Sequence, residues 1–133
     1  MTSYYERIAA DWIEQYSSKE TPPGSYDPLL IMEAVIGYNA GMGWLLISTI
    51  LEMDKVGASL PMLVAGPLDS WMSRHSADMI DFIEIEAATN ERFKWALGGL
   101  RQNSIAKEVW NRIERARGEV WSSTAPPIPI SEQ

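Results

Sequence analysis

The chain has no cysteine and a single histidine, His75, and these two scarcities exclude more chemistry than any motif supplies. Without cysteine there is no disulfide framework, no thiolate nucleophile and no sulfur ligand for a structural metal. One imidazole cannot build the usual zinc shell, and the acidic residues lack the spacing of a calcium loop. A Walker loop is absent, and a dinucleotide fingerprint fails because Leu46 stands where the third glycine would follow Gly41 and Gly43. Neither a metal nor a cofactor is therefore expected. Basic residues are also scarce: 11 Lys and Arg against 18 Asp and Glu give a formal charge of -7. Such a body repels nucleic-acid backbone. The one basic concentration, Arg101, Lys107, Arg112, Arg115 and Arg117, falls around a helix C-terminus, where cations are favoured anyway. An uninterrupted membrane span is missing too. The uncharged run from Ala34 to Leu51 is broken by Gly37, Asn39, Gly41 and Gly43, which makes it two buried helices joined by a turn. An N-terminus with early charges and no apolar signal core, together with the lack of cysteine, sets the expectation of a cytoplasmic protein.

What is present reads as helix. With 133 residues, 46% hydrophobic, the chain suits one ordinary core. Ser3 with Glu6 forms a capping box, and Tyr5, Ile8, Ala9, Trp12, Ile13 and Tyr16 keep helical spacing behind it. Lys19 to Ser25 reads as a loop, Asp27-Pro28 as the cap of a second helix to Tyr38, and Asn39 as the cap of a third to Asp54. The third presents Trp44, Leu45, Ser48 and Leu51, widened by Ile47 and Ile50. Ser59 opens a short helix that Gly66 is expected to end; Pro67 starts another, and Ser76 caps one from Ala77 to Thr89. Asn90 begins a helix that stops at Gly98-Gly99, and Ser104 begins the last, ending at Gly118. Nothing alternates with period two for long enough to be a strand. The expectation is an all-α single-domain bundle of seven to eight short helices over residues 1–118, followed by an extended Pro-rich tail over 119–133. The tail's PPIPI segment, Pro126 to Ile130, cannot be helical, so it is either frayed or laid across a groove, with Trp121 as an anchor.

The segment from Leu63 to Ala87 concentrates the remaining chemistry. His75 shares a helical face with Leu68, Trp71 and Met72. On the helix that follows, Glu86 falls inside the apolar face of Met79, Phe82 and Ile83, while Glu84 sits at its border. A buried carboxylate needs a cation, a donor or a proton, with Arg74, His75, Arg101 and Arg112 as candidate partners. His75 with Glu84 or Glu86 is thus the one candidate acid–base pair. No nucleophile accompanies it, and a hydrogen-bonded pair locking two helices accounts for the pattern more simply. Asp78 and Asp81 point away from the apolar face. Among six tryptophans, Trp12, Trp44 and Trp71 fit inward stripes; Trp95 and Trp110 lie off theirs and, with Trp121, are the candidate interface anchors.

Ala65-Gly66-Pro67-Leu68, the following His75, and Ile80-Asp81 to Ile83-Glu84 and Ala87, with Phe93, Leu97 and Trp110 beyond, resemble an uncharacterised bacterial helical family catalogued as a domain of unknown function. The similarity extends over about residues 28–117 and brings no activity with it. It implies a bacterial helical domain and marks Glu84 as the partner of His75. The functional expectation is a non-enzymatic acidic binding protein that masks a basic protein partner, as toxin-immunity proteins and phage-encoded inhibitors do, through Asp78, Asp81, Trp95, Trp110 and Trp121. Two alternatives stand beside it: a hydrolase or transferase using the His–Glu pair, and a structural module that forms a homodimer or larger assembly through the PPIPI arm.

Overall fold

Asn39 divides the long apolar run. Its backbone is extended and its side chain accepts a hydrogen bond from the Met42 N–H at 2.9 Å, so the helix holding residues 36–38 ends and the next begins. The computed structural model describes residues 4–17, 36–55, 57–122 and 126–129. Within them the elements are α1 (Tyr4–Ser17), α2 (Ala40–Met53), α3 (Leu60–Leu63), a π-helical turn (Val64–Leu68), α4 (Asp69–Thr89), α5 (Glu91–Leu97) and α6 (Lys107–Ala116). The chain is all-α, with no strand among the described residues. The capping box at Ser3, the 19–25 loop and the Asp27 cap lie outside them. No helix among the described residues is long and apolar enough to cross a membrane.

Among the described residues, three helices expected between Ser59 and Thr89 are one. Residues from Leu60 to Thr89 run on without a break, so Gly66 ends nothing and Ser76 caps nothing. Proline inside an α-helix has no N–H to donate and its ring collides with the carbonyl one turn back. Here the turn around Pro67 widens to π geometry, which makes room for the ring while the rod continues. Ser76 is a small buried residue, 3% exposed, on a stripe made by Leu68, Trp71, Met72, Ile80, Ile83 and Ala87. That stripe keeps its phase through Ser76, as a single helix must.

α1 packs along α2, and α4 lies against both α5 and α6. Ile8, Ala9 and Trp12 enter the core from α1, as their spacing requires. The buried face of α2 is Gly43, Leu46, Ile47, Ile50 and Leu51, rotated from the expected one; Leu45 is 45% exposed. Trp44 still packs inward, edge-on to Phe93 at 4.8 Å and to Phe82 at 5.2 Å. The crossing of α2 with the rod depends on Gly43. A Cβ there would lie 2.8 Å from Trp71 Cδ1 and 3.1 Å from the Ile36 backbone. Trp71 is fully buried and bonded through Nε1 to the Ala40 carbonyl at 2.8 Å, so it cannot swing aside. Gly43→Ala is expected to cost roughly 1–3 kcal/mol, read as a lower urea midpoint at unchanged slope.

The described parts of the tail are extended and packed on the protein. The Gly118 N–H donates to Lys94 O, Trp121 N–H to Gly98 O, and the Trp121 indole to Trp95 O. The Trp95 indole in turn donates to Pro126 O at 2.9 Å, and Ile128 lies against the core. The tail crosses the end of α5 where Gly98 and Gly99 present no side chains.

Candidate functional site

The three candidate acid–base groups are not brought together. Nine residues of continuous helix separate His75 from Glu84, an axial rise of roughly 13.5 Å, and Glu86 lies further along the same rod. His75 Nε2 lies 2.7 Å from the Ile36 carbonyl. A carbonyl only accepts, so this nitrogen carries a proton, and the imidazole closes the end of the helix that holds residues 36–38. The pairing of His75 with Glu84 implied by the resemblance is thereby corrected, because the rod is one helix and not two.

Glu84 has a different partner. Arg112 on α6 engages it with Nε to Oε2 at 2.9 Å and Nη2 to Oε1 at 2.5 Å, and Nη2 also reaches Asp81 Oδ1 at 2.7 Å. A planar guanidinium is suited to this forked contact. The hydrogen bond from Arg112 holds the Glu84 carboxyl below its ordinary 4.5; burial opposes this, and the charges of Arg112 and Arg115 reinforce the hydrogen bond, while Arg112 is itself shifted upward. A carboxylate whose folded pKa is depressed adds stability above its unfolded pKa and loses it as pH falls through the folded one. The melting-temperature gap between the wild type and Glu84→Gln is therefore expected to be largest near neutrality and to close below about pH 4.5. Scanning calorimetry across that range checks this.

Glu86, the carboxylate set in an apolar face, receives Asn90 Nδ2 at 2.9 Å. Asn90 Oδ1 accepts from the Phe93 N–H at 3.1 Å, so Glu86 braces the residue that caps α5. Asp78 is exposed, and the Asp81 side chain is 86% exposed despite its contact with Arg112. Trp95 and Trp110 are each 8% exposed, which corrects their expected outward placement. The tail covers Trp95, while Trp110 lies under the Arg117 guanidinium at 5.4 Å. Trp121 is half-buried, against Trp95 at 4.7 Å.

Sequence reasoning missed a buried polar junction. Arg92, 8% exposed, donates from Nε to Leu51 O at 2.6 Å and from Nη2 to Asp54 O at 2.5 Å, satisfying carbonyls at the end of α2. The Asp54 carboxylate accepts from the Gly57 and Ser59 N–H groups, each at 2.8 Å, and from Ser59 Oγ. Burial lowers the Arg92 pKa and the nearby Asp54 charge opposes that. The available signal was spacing, since Arg92 stands four residues before buried Ala96. A cleft of about 260 Å³ opens beside Arg92, edged by Ser48, Glu52, Lys55 and Asn90.

A larger groove, about 460 Å³, lies between the π turn and the residues after α5. Pro61, Val64, Ala65 and Asp69 line it from the rod, Leu100, Arg101 and Asn103 from the opposite turn, and Trp121 from the tail. Asn103 has φ 47°, a left-handed conformation that asparagine tolerates better than most residues, and its Nδ2 donates to Asp69 Oδ1 at 2.9 Å. No group of three or more His, Asp or Glu among the described residues is arranged to hold a metal ion.

The chain matches no curated protein and no solved structure. It does match a family model described as "Family of unknown function (DUF6869)" over residues 14–120. Both the rod with its π turn and the Glu84–Arg112 contact lie within the matched span, and the chain belongs to that family of unknown function.

Proposed function

We propose that the protein is a non-catalytic binding protein whose acidic surface engages a basic protein partner. The observation that carries this reading is that three of its eleven cations are taken up within the fold while carboxylates stay exposed. Arg92 is buried on backbone carbonyls, Arg112 is held between Asp81 and Glu84, and Arg117 contacts Glu114 and Trp110. Asp78 and Asp81 meanwhile remain exposed on the outer face of α4, with Ile85, 67% exposed, at the next turn of the same face. A net charge of -7 draws a basic partner towards this face, and an apolar side chain among carboxylates supplies contact area once the partner arrives. The engagement of His75, Glu84 and Glu86 in separate contacts supports the same reading over a His–Glu hydrolase or transferase.

The test uses the products of the reading frames that flank this one, each purified and titrated against the full chain. A basic product is expected to bind at about 50 mM salt and to weaken steeply as salt rises. Asp78→Arg combined with Ile85→Ser should lower affinity at least about tenfold while the melting temperature holds. If no basic product associates at low salt, or the double variant binds as well as the wild type, the reading is wrong.

A further inference from the structure

Asp69 and Arg101 line the same groove and leave each other alone. Among the described residues neither forms an ion pair, although they carry opposite charges into one space. Asn103 explains how the carboxylate is kept in place: its side chain takes Asp69 Oδ1, and its left-handed backbone fixes the turn that also carries Arg101. Asp69 Oδ2 has no protein partner among the described residues. The apolar part of the lining includes the edges of the largely buried Val64 from the π turn and Leu100 from the opposite turn, with the half-buried Trp121 from the tail. Trp121 is itself held by its bond to Trp95 O and by its seat on Gly99, so this wall is built rather than incidental.

From this we infer that the groove is a binding site for a zwitterion of amino-acid type: an ammonium on Asp69, a carboxylate on Arg101 and an apolar side chain against Val64, Leu100 and Trp121. The alternatives fail on charge. A phosphate would meet Asp69, a lone cation would meet Arg101, and a metal ion would find one carboxylate where it needs several oxygens. Only a ligand that presents both signs uses both ends, and forked pairing with a carboxylate is the particular strength of arginine. The volume falls within the roughly 300–1,000 Å³ usual for small-molecule sites. π turns such as the one that supplies Val64 recur at functional positions. The site is distinct from the outer face of α4, so it stands or falls separately from the basic-partner reading.

The experiment is a nitrogen–proton NMR titration of the full chain with L-leucine, the dipeptide Leu-Leu, N-acetyl-Leu-Leu and Leu-Leu amide, each to about 10 mM, a range in which weak small-ligand sites saturate. At least one of the two zwitterions is expected to give saturable shifts confined to residues 64–69 and 99–103 and the Trp121 indole. Comparison of leucine with Leu-Leu sets the ligand's length. The acetylated and amidated forms should each bind about tenfold more weakly or worse. Asp69→Asn, which retains an acceptor for Asn103, should erase the preference for a free ammonium, and Arg101→Gln the preference for a free carboxylate. Should Asp69→Asn fail to fold, the exposed Arg101 variant carries the comparison alone. Three outcomes would overturn the proposal: no saturable shift at these residues, equal binding of blocked and free forms, or tightest binding by the amide, which would make the groove a cation pocket.

Discussion

Replacing Arg92 with methionine is expected to destabilise the protein by about 3–5 kcal/mol, the usual consequence of removing one member of a buried charged network. Methionine keeps much of the volume and the apolar stem, so packing loss is a minor part. The loss comes from the carbonyls of Leu51 and Asp54, which are bonded by the guanidinium at the end of α2. Each buried acceptor left without a donor costs about 1–3 kcal/mol. The Asp54 carboxylate, 5% exposed, also loses the nearby positive charge, though its three donors from Gly57 and Ser59 remain. Arg92→Lys separates the two contributions. It restores the charge, but an ammonium on a single stem does not reproduce the two-pronged contact, so roughly half of the loss should return. Urea unfolding followed by far-ultraviolet circular dichroism gives all three midpoints. A methionine variant within about 1 kcal/mol of the wild type would mean that water replaces the guanidinium at these carbonyls.

That junction also shows where the sequence was legible and where it was not. Local signals read true where a residue acts on its own backbone neighbourhood: Asn39 and Asn90 cap the helices they precede, and Gly98-Gly99 ends α5. Apolar spacing placed Ile8, Ala9 and Trp12 inside α1 correctly. The failures arise where a local signal and a tertiary one compete. Pro67 and Ser76 carry the chemistry of helix starts, yet the inward stripe of the rod continues through both, and burial of that stripe prevails over two caps. The pairing of His75 with Glu84 that the resemblance implied fails with it, for only a broken rod could fold His75 back onto Glu84. Trp95 was misread for a different reason. It is off the stripe of its own helix, and what covers it is the tail, more than twenty residues on in the chain. Of the groove, Asp69 and Arg101 were legible as charges; that they face one space without pairing depends on the turn at Asn103.

Gly98→Ala is expected to release the tail at a cost of about 2–4 kcal/mol. Gly98 has φ -64° and ψ -20°, so its backbone would accept alanine without strain. The obstacle is the chain lying across it. A Cβ at this position would stand 2.0 Å from the Glu119 carbonyl oxygen, a backbone atom with no rotamer to adopt. Displacing that strand breaks the bonds from Trp121 N–H to Gly98 O and from the Trp121 indole to Trp95 O, and it uncovers Trp95 and its bond to Pro126. Net bond values near 1 kcal/mol each and partial exposure of two indoles give the stated range. Tryptophan emission should shift to the red and a protease should cut after Gly118, with helical content nearly unchanged. A chain ending at Gly118 supplies the decisive comparison. In that background the obstacle is gone, and alanine, the better helix former, should be neutral or slightly stabilising. The two changes would then be strongly non-additive, as expected of groups in direct contact. An equal cost in both backgrounds would show that glycine serves α5 itself and that the tail rests there without constraint.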